Sequence, residues 1–341
     1  MRIAMILTGG TICCRVGQDG TRRSDVGTAS TVLEQHYRLS HPYSSVQFDV
    51  QMPLNCLSED LIPDDWCVIL RTIASLDLRH YDGIILAHGT DTLDQTAAML
   101  SAALIGISVP VILVSAIEPL DVPQTNGHAN FEAAVKLICK HLSAGVWAVY
   151  ENSDGEMYLH RGFELLPCQH ESRSFFSRSM QKVSTVYDAP PVHKKSTCTD
   201  MQMLAAQAVS APEVMLIRPY NGLRYDKLML DEAAAVVHGT YHSETANSVR
   251  YSPYAVQTLI QRCRDIGIPC YLAPCQEQGQ SYGSGYDLVQ EGAIPLADMT
   301  LSFAYGAVWT NCLLGYRGEQ LTSRVRQMRQ MAESQLFRCC I

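Results

Sequence analysis

The sequence predicts a two-domain α/β fold, with a larger N-terminal domain built on a parallel sheet and a smaller C-terminal α/β domain. Its 341 residues are enough for two domains of ordinary size. Short apolar runs rich in β-branched residues alternate with longer segments that repeat apolar residues every three or four positions. This alternation is typical of a parallel sheet covered by helices. A polar, proline-containing stretch near residue 190 separates the two halves.

The first domain is predicted to cover residues 1–187. The strands are expected to be buried apolar runs, and the helices carry apolar residues at the spacing of core-facing helices. The predicted strands are residues 3–7, 46–52, 83–87, 109–115 and 146–150, and the predicted helices are residues 63–76, 93–104 and 130–143. Residues 15–28 are polar and contain three glycines, so we expect a mobile loop, placed as a lid after the first strand.

Composition places a linker at residues 188–212, and the second domain then covers residues 213–341. This placement rests on residues 188–199, which contain Pro190-Pro191, Lys194-Lys195 and several small polar residues. Within the second domain the predicted strands are residues 214–218, 235–238 and 269–273, and the predicted helices are residues 253–266 and 302–310.

Charge and cysteine content exclude several classes of protein. A net charge of −8 disfavours nucleic acid as a partner. The 13 cysteines are scattered and match neither a disulfide framework nor a zinc site. No apolar stretch approaches the length of a membrane span, and the first strand is too short for a signal-peptide core. We therefore expect a cytoplasmic protein without a metal and without membrane association.

A glycine-rich turn, Thr-Gly-Gly-Thr-Ile at residues 8–12, follows the first predicted strand. Two glycines allow a tight turn in which backbone amides approach a ligand. Ligands of open α/β sheets collect at the carboxyl ends of strands, so the Thr11 hydroxyl is predicted to project into that crevice. The alternative is an ordinary strand-to-helix turn with a threonine cap. A nucleotide site is disfavoured, because the G-x-G-x-x-G and G-K-[ST] patterns are absent.

A second motif, His-Gly-Thr-Asp-Thr at residues 88–92, lies between a predicted strand and a predicted helix. The free amides and partial positive charge of a helix N-terminus stabilise an anionic group. Helix capping is again the alternative. A helix N-terminus needs only one capping side chain, whereas this motif has two threonines flanking Asp91. Thr90 and Asp91 are therefore candidate catalytic residues.

The third motif contains Ser58 and Glu59, after the second predicted strand. Ser58 is a candidate to bind a substrate carboxylate, and Glu59 to hold an ammonium group. Taken alone, the Ser-Glu-Asp sequence at residues 58–60 is also an ordinary helix N-terminal signature.

Together, these motifs resemble the L-asparaginase and glutaminase family. The resemblance extends over residues 109–116, 217–220 and 238–243 and so covers most of the chain. Ser58-Glu59 and the Tyr-His-Ser sequence at residues 241–243 are more similar to the cytoplasmic branch and to the D subunit of a tRNA-dependent amidotransferase than to secreted asparaginases. The family fold is two α/β domains joined by a linker, in agreement with the prediction from periodicity.

The resemblance implies hydrolysis of a side-chain amide through a threonine acyl-enzyme, without a metal or organic cofactor. Thr11 is the implied nucleophile and Thr90 the second catalytic hydroxyl. Asp91 is implied to bind the α-amino group of an asparagine- or glutamine-like substrate. The implied substrate-binding residues are Ser58, Glu59, Gly10, Gly89 and Ser115. Backbone amides near Thr90 or Ser115 are candidates for the oxyanion donors.

The family's habit of sharing a site between subunits implies a homodimer or tetramer. Residues 281–286 are the predicted donated edge, because the surrounding glycines make that loop compliant.

Two residues that the resemblance implies are not found in their expected places. The family takes a tyrosine from the first loop, yet the first tyrosine here is Tyr37. It also places a lysine beside the second threonine, but residues 166–168 are Leu-Pro-Cys. We therefore predict His170 as a substitute base, because a histidine exchanges protons near neutral pH. A surface histidine without a catalytic role is the alternative.

Two further functions stay open. One is a non-catalytic homologue that binds an amino-acid-like ligand or serves as an assembly partner, which the missing lysine and tyrosine favour. The other is the glutaminase subunit of a tRNA-dependent amidotransferase, which the acidic charge and the lack of an additional N-terminal domain disfavour. Release of ammonia distinguishes the first from an amidohydrolase, and dependence on a partner subunit identifies the second.

Overall fold

The computed structural model describes residues 1–186, 199–275 and 282–337. The chain divides into two compact units, Met1–Ser210 with Ala332–Ile341, and Ala211–Met331. Each unit is built around its own sheet. The predicted fold class is confirmed, because a large, mainly parallel sheet and a smaller parallel sheet are each accompanied by helices.

The first unit contains a seven-stranded sheet in the order β4-β1-β5-β6-β7-β8-β9. Its strands are β1 (Arg2–Leu7), β4 (Gln47–Gln51), β5 (Gly83–Ala87), β6 (Pro110–Val114), β7 (Gly145–Glu151), β8 (Met157–Arg161) and β9 (Gln181–Lys182). The strands from β4 to β7 are parallel, and β8 and β9 run antiparallel. The five predicted strands of this unit correspond to β1, β4, β5, β6 and β7. Their apolar runs form strands because both faces of the central sheet are buried.

The helices of this unit are α1 (Val26–Ser40), α2 (Pro63–Ser75), α3 (Leu93–Ala103), α4 (Gly127–Cys139) and α5 (Thr199–Gln207). The sequence predicted α2, α3 and α4. It missed α1, whose first turn is closed by Asp25, a side chain that accepts a hydrogen bond from Thr28 N at 3.0 Å.

The segment predicted as an irregular loop, residues 15–28, is instead mostly regular. It contains a two-stranded antiparallel ribbon, β2 (Cys14–Val16) and β3 (Arg22–Ser24), followed by the start of α1. Its polar composition reflects exposure of the ribbon rather than a lack of secondary structure. The ribbon is held to the loop after β6, because Arg22 pairs with Glu118 and Asp121 accepts a hydrogen bond from Val16 N at 3.3 Å.

The predicted linker, residues 188–212, lies partly outside the described residues. Its described part contains α5, which packs against α2 within the first unit through buried Met201 and Leu204. Arg71 of α2 also donates a hydrogen bond to the carbonyl of Ala208. The domain limits themselves stay a prediction.

The second unit contains a four-stranded parallel sheet in the order β10-β11-β12-β13. Its elements are β10 (Val214–Ile217), β11 (Ala235–Gly239), α6 (Val256–Asp265), β12 (Cys270–Cys275), α7 (Gly283–Gln290), β13 (Ile294–Ala297), α8 (Leu301–Leu313) and most of α9 (Gly318–Phe337). The last residues of α9, from Ala332 onward, belong to the first unit. Three of the four strands, and helices α6 and α8, were predicted. β13 was missed because it is only partly buried and contains a proline. Within the described ranges, no helix is both long enough and apolar enough to cross a membrane.

Buried histidines predict that the protein loses stability as the pH falls. Burial lowers the pKa of His88, His160 and His238 from 6.5 to about 4. As the pH falls, these histidines take up a proton near pH 6.5 in the unfolded chain. In the folded chain they take it up only near pH 4. The stability they confer is therefore complete above pH 6.5 and is lost as the pH falls toward 4.

Each of these histidines should lower the free energy of unfolding by about 1 kcal/mol at pH 5.5. Urea unfolding at pH 7.5 and 5.5 measures the difference in the free energy of unfolding. In His160→Gln this difference should be smaller by about 1 kcal/mol. A midpoint unchanged between the two pH values in the wild-type protein would contradict the prediction.

Candidate active site

The first motif forms a tight turn at the end of β1. Gly9 and Gly10 have φ angles of 121° and 74°, which residues with a side chain rarely adopt. Gly10 N donates a hydrogen bond to Cys56 O at 2.9 Å, which ties the turn to the segment after β4. Thr11 then begins a short 3₁₀ turn and is half-buried.

The second motif begins where β5 ends, beside the first. β1 and β5 are neighbouring parallel strands with Leu7 opposite Ala87, and Thr8 N donates to Ala87 O at 3.1 Å. Parallel neighbours present their carboxyl ends at the same edge of the sheet. The prediction that both motifs lie at strand ends therefore agrees with the structure.

The backbones of the two motifs touch at Gly10 and Gly89. A Cβ atom built on Gly10 would lie 2.2 Å from both the Cα and the N of Gly89. Such an approach is possible only without a side chain at residue 10. Because Thr11 and Thr90 each follow one of these glycines, the contact brings the two threonine-bearing segments together. Thr90 is half-buried, like Thr11.

Ser58 of the third motif packs beneath the second motif. A Cβ atom on Gly89 would lie 2.4 Å from Ser58 Oγ, so this glycine is also constrained. Ser58 Oγ accepts a hydrogen bond from Asp91 N at 3.2 Å, and Ser58 O accepts one from the Thr92 hydroxyl at 2.8 Å. Ser58 is buried and therefore orients the Asp91 backbone.

Two exposed carboxylates belong to these motifs. Asp91 and Glu59 are both exposed and belong to the second and third motifs. Burial raises the pKa of the Cys14 thiol, and the negative charge of Glu59 raises it further. Burial lowers the pKa of His88, and the negative charge of Asp91 partly offsets this by raising it. An exposed carboxylate is suited to bind an ammonium group.

His88 supports the second motif from inside the core. Its Nδ1 lies 2.8 Å from Gly89 O, and its Nε2 lies 2.9 Å from the Thr96 hydroxyl, to which Trp66 also donates. Burial lowers the pKa of His88 to about 4, so the ring is neutral at neutral pH. His88 is therefore a structural support, a role that the sequence does not reveal.

Two asparagines that were not predicted connect the ends of β6 and β7. Asn130 Nδ2 donates to Ser115 O at 2.8 Å, and Asn130 Oδ1 accepts from Glu151 N at 2.8 Å. Asn126 likewise accepts from Ile117 N and donates to Glu151 O, each at 2.9 Å. These bonds fix the backbone at Ser115, the residue predicted to contribute to substrate binding.

The segment in which a lysine was expected contains Cys168 instead. This half-buried thiol interacts electrostatically with Asp91 of the second motif and with Asp94 of α3. Burial raises the pKa of Cys168 to about 11, and the two carboxylates act in the same direction. The thiol is therefore neutral at neutral pH.

His170, two residues further along, is exposed in the turn that Gln169 and Ser174 close. Its suggested role as a base stays a prediction. Glu118, in the loop after β6, pairs with Arg22 of the ribbon and lies 3.9 Å from Arg173. Among the described residues, no group of three or more His, Cys, Asp or Glu side chains is arranged to hold a metal ion.

The sequence around these motifs matches a known protein family. The asparaginase profile described as "Asparaginase, N-terminal" matches residues 2–197, which is more than half of the chain. The chain belongs to the asparaginase family. This assignment includes the part of the chain that contains all three motifs.

Two curated proteins are similar to most of the chain. The D subunit of the glutamyl-tRNA(Gln) amidotransferase of Pyrococcus horikoshii is 27% identical over 89% of this chain and 70% of its own length. The corresponding protein of Aeropyrum pernix is 28% identical over 89% of this chain and 73% of its own length. The resemblance to these amidotransferase proteins that the motifs indicated is therefore confirmed.

Solved asparaginase structures share the fold. The thermostable L-asparaginase from Thermococcus kodakarensis superposes with a TM-score of 0.71 at 19% identity, over 96% of both chains. L-asparaginase I from Vibrio cholerae gives 0.70 at 22% identity, over 96% of this chain and 97% of that one. At such identities the likeness establishes the two-domain asparaginase fold alone.

The contact between the two glycines can be tested by comparing two substitutions. Gly10 and Gly20 have nearly equal φ angles, 74° and 77°, so alanine should cost each about 1 kcal/mol in backbone strain. Nothing lies within 4 Å of a Cβ at Gly20, whereas a Cβ at Gly10 meets the Gly89 backbone. We expect Gly10→Ala to lose about 3 kcal/mol or more in urea unfolding. An equal loss in Gly20→Ala would contradict the contact.

Proposed function

We propose that the chain is an amidohydrolase that cleaves the side-chain amide of an asparagine- or glutamine-like substrate and releases ammonia. The observation that carries this proposal is the contact between Gly10 and Gly89, which brings two half-buried threonines to one sheet edge. Membership of the asparaginase family supports it.

In the first step, Thr11 Oγ1 attacks the amide carbonyl carbon. The C–N bond then breaks, the nitrogen takes up the hydroxyl proton, and ammonia leaves. The product on the enzyme is an ester of Thr11. Covalent catalysis of this kind divides one difficult hydrolysis into two easier steps.

In the second step, water attacks the ester, the acid is released, and a proton returns to Thr11. Thr90 is proposed to orient the attacking group and to relay the proton. α3 begins at Leu93, so its N-terminal amides and partial positive charge lie beside Thr90. They favour the negative charge that develops on the carbonyl oxygen.

The substrate is an amino acid or a close analogue. Asp91 and Glu59 supply two exposed carboxylates for an α-ammonium group. Ser58 is proposed to bind the α-carboxylate. Because Ser58 is buried and accepts from Asp91 N, it also positions Asp91.

A second candidate function is the glutaminase part of a tRNA-dependent amidotransferase. The observation that favours it is 27% identity to a component of a glutamyl-tRNA(Gln) amidotransferase over 89% of this chain. Hydrolysis of glutamine only in the presence of a partner subunit would identify it. A homologue that binds an amino-acid-like ligand without turnover would release no ammonia under any condition.

Substitution of the two threonines tests the proposed chemistry. After a screen of amides for ammonia release, Thr11→Ala and Thr90→Val should each lower kcat by several orders of magnitude with little change in unfolding. Thr31→Ala is the matched control, because Thr31 is exposed on α1. Near-wild-type turnover by folded Thr11→Ala would refute a threonine nucleophile.

We also propose that the active form is a homodimer or tetramer. Residues 281–286 are the proposed donated edge, of which Ser281 lies outside the described residues. Tyr282 and Tyr286 are 65% and 60% exposed, and exposed tyrosines are frequent at protein interfaces. Sedimentation at assay concentration should detect an oligomer, and Tyr286→Ala should shift it toward the monomer. A fully active monomer would exclude a shared site.

A further inference from the structure

The ribbon that follows Thr11 is tied to the rest of the first unit at its far end. In the pairing of β2 with β3, Val16 lies opposite Arg22, and this pair is the one furthest from Thr11 along β2. Asp121, in the loop after β6, accepts a hydrogen bond from Val16 N at 3.3 Å. Glu118 of the same loop forms an ion pair with Arg22. Two side chains of one loop therefore hold one residue pair of the ribbon.

The ribbon is small, so contacts with its surroundings matter to its stability. It consists of three residue pairs, and Gly17 N donates to Thr21 O at 2.8 Å to close its turn. Among the described residues of its two strands, only Cys14 is buried. An isolated two-stranded element is at best marginally stable in water. The contacts of Asp121 and Glu118 therefore influence how much of the time the ribbon is docked, with both contacts formed.

The loop after β6 gives these two side chains a well-supported backbone. The Thr125 hydroxyl donates a hydrogen bond to Glu118 O at 2.7 Å, and Asn126 accepts one from the residue before Glu118. His128 Nε2, on α4, lies 3.2 Å from the carbonyl of buried Leu120. A carbonyl only accepts, so this nitrogen donates. The loop is therefore held by bonds that do not involve the ribbon.

The ribbon connects two strand ends that lie on either side of β5. The sheet order is β1-β5-β6, Thr11 comes shortly after β1, and the loop that holds the ribbon follows β6. Neighbouring strands lie about 4.8 Å apart, so β1 and β6 are about 10 Å apart, which is also the length of a strand of three residues. Thr90 and Asp91 follow β5, between these two strands. The docked ribbon therefore borders the sheet edge at which the second motif lies.

We propose that Glu118 and Asp121 are positioning residues for the candidate active site. By keeping the ribbon docked, they close the edge of the site beside the second motif and so strengthen binding of the amide substrate. Neither side chain is proposed to contact the substrate, because both act through the ribbon. The inference rests on the proposed function for its effect on substrate binding, whereas docking of the ribbon can be measured without a substrate.

Limited proteolysis with trypsin measures docking without reference to catalysis. Arg15 is exposed on β2, and the bond cleaved after it is the one that contains Val16 N, the donor to Asp121. A docked ribbon should therefore resist cleavage there. Asp121→Ala and Glu118→Gln should each raise the initial rate of cleavage after Arg15, by up to about fivefold for the loss of one partly exposed contact. Unchanged rates in both variants would overturn the proposal.

Two further variants separate docking from a general loss of stability. Asp121→Asn keeps an oxygen that can accept from Val16 N, so it should be cleaved after Arg15 at the wild-type rate. Glu156→Gln is the matched control for charge, because Glu156 forms an ion pair at 3.1 Å with Lys182 of β9 instead. It should also be cleaved at the wild-type rate. An increase in Glu156→Gln equal to that in Glu118→Gln would contradict a specific role for Glu118.

A double-mutant cycle tests the ion pair itself. Arg22→Gln and Glu118→Gln remove the same contact, so the double variant should be cleaved after Arg15 no faster than the faster single variant. Arg173 also lies 3.9 Å from Glu118 but is not part of the ribbon, so Arg173→Gln should leave the rate unchanged. Increases that multiply in the double variant would show that Arg22 and Glu118 act independently, which would refute the pair.

Steady-state kinetics with the best amide substrate tests the effect on the site. Asp121→Ala and Glu118→Gln should each raise KM, by up to about fivefold, because a smaller fraction of the protein is competent to bind. Their kcat should stay within about twofold of the wild type, since a saturating substrate favours the docked ribbon. A merely structural role would lower the amount of active protein without changing KM. An unchanged KM would therefore overturn the positioning role.

Protection by the substrate separates this inference from the proposed function. If docking strengthens substrate binding, bound substrate must favour docking by the same factor. In Thr11→Ala, which should bind the amide without turnover, a saturating concentration should slow cleavage after Arg15 but not after exposed Arg79, which is outside the ribbon. Equal rates with and without the amide would refute the positioning role in an active amidohydrolase. If the wild type hydrolyses no amide, the proposed function fails, and proteolysis of Asp121→Ala and Glu118→Gln still decides whether these residues dock the ribbon.

Discussion

The arrangement of the site depends on one close contact between two backbones. Gly10 and Gly89 approach so closely that a Cβ on the first would lie 2.2 Å from the second. The parallel pairing of β1 and β5 delivers both glycines to one edge of the sheet, and the absence of side chains lets the turns meet there. Ser58 fills the space below Gly89 and bonds to Asp91, so all three motifs are fixed relative to each other.

Much of this could be predicted from the sequence, because the signals are local. Continuous apolar runs predicted the buried strands, and glycines followed by hydroxyl residues marked the turns at two strand ends. The ribbon at residues 14–24 was missed because an exposed two-stranded element has the polar composition of a loop. The roles of His88, Asn126 and Asn130 are long-range, since they depend on residues that only the folded chain brings together.

The electrostatics around the second motif differ from those expected of a site that contains a lysine. Cys168 is a neutral thiol, His88 is neutral, and the charges that act on Cys168 are those of Asp91 and Asp94. Arg22 and Glu118 pair between the ribbon and the loop after β6, so Arg22 does not stand in for that lysine.

The proposed hydrolysis requires that Thr11, and not a cysteine thiol, forms the covalent intermediate. Rapid acid quench during turnover of the best amide substrate, followed by intact-mass measurement and peptide mapping, tests this requirement most directly. We predict an added acyl mass on the peptide that contains Thr11, and its absence from Thr11→Ala. An acyl group mapped to Cys168, or turnover without any adduct under conditions in which ester hydrolysis limits the rate, would contradict the account.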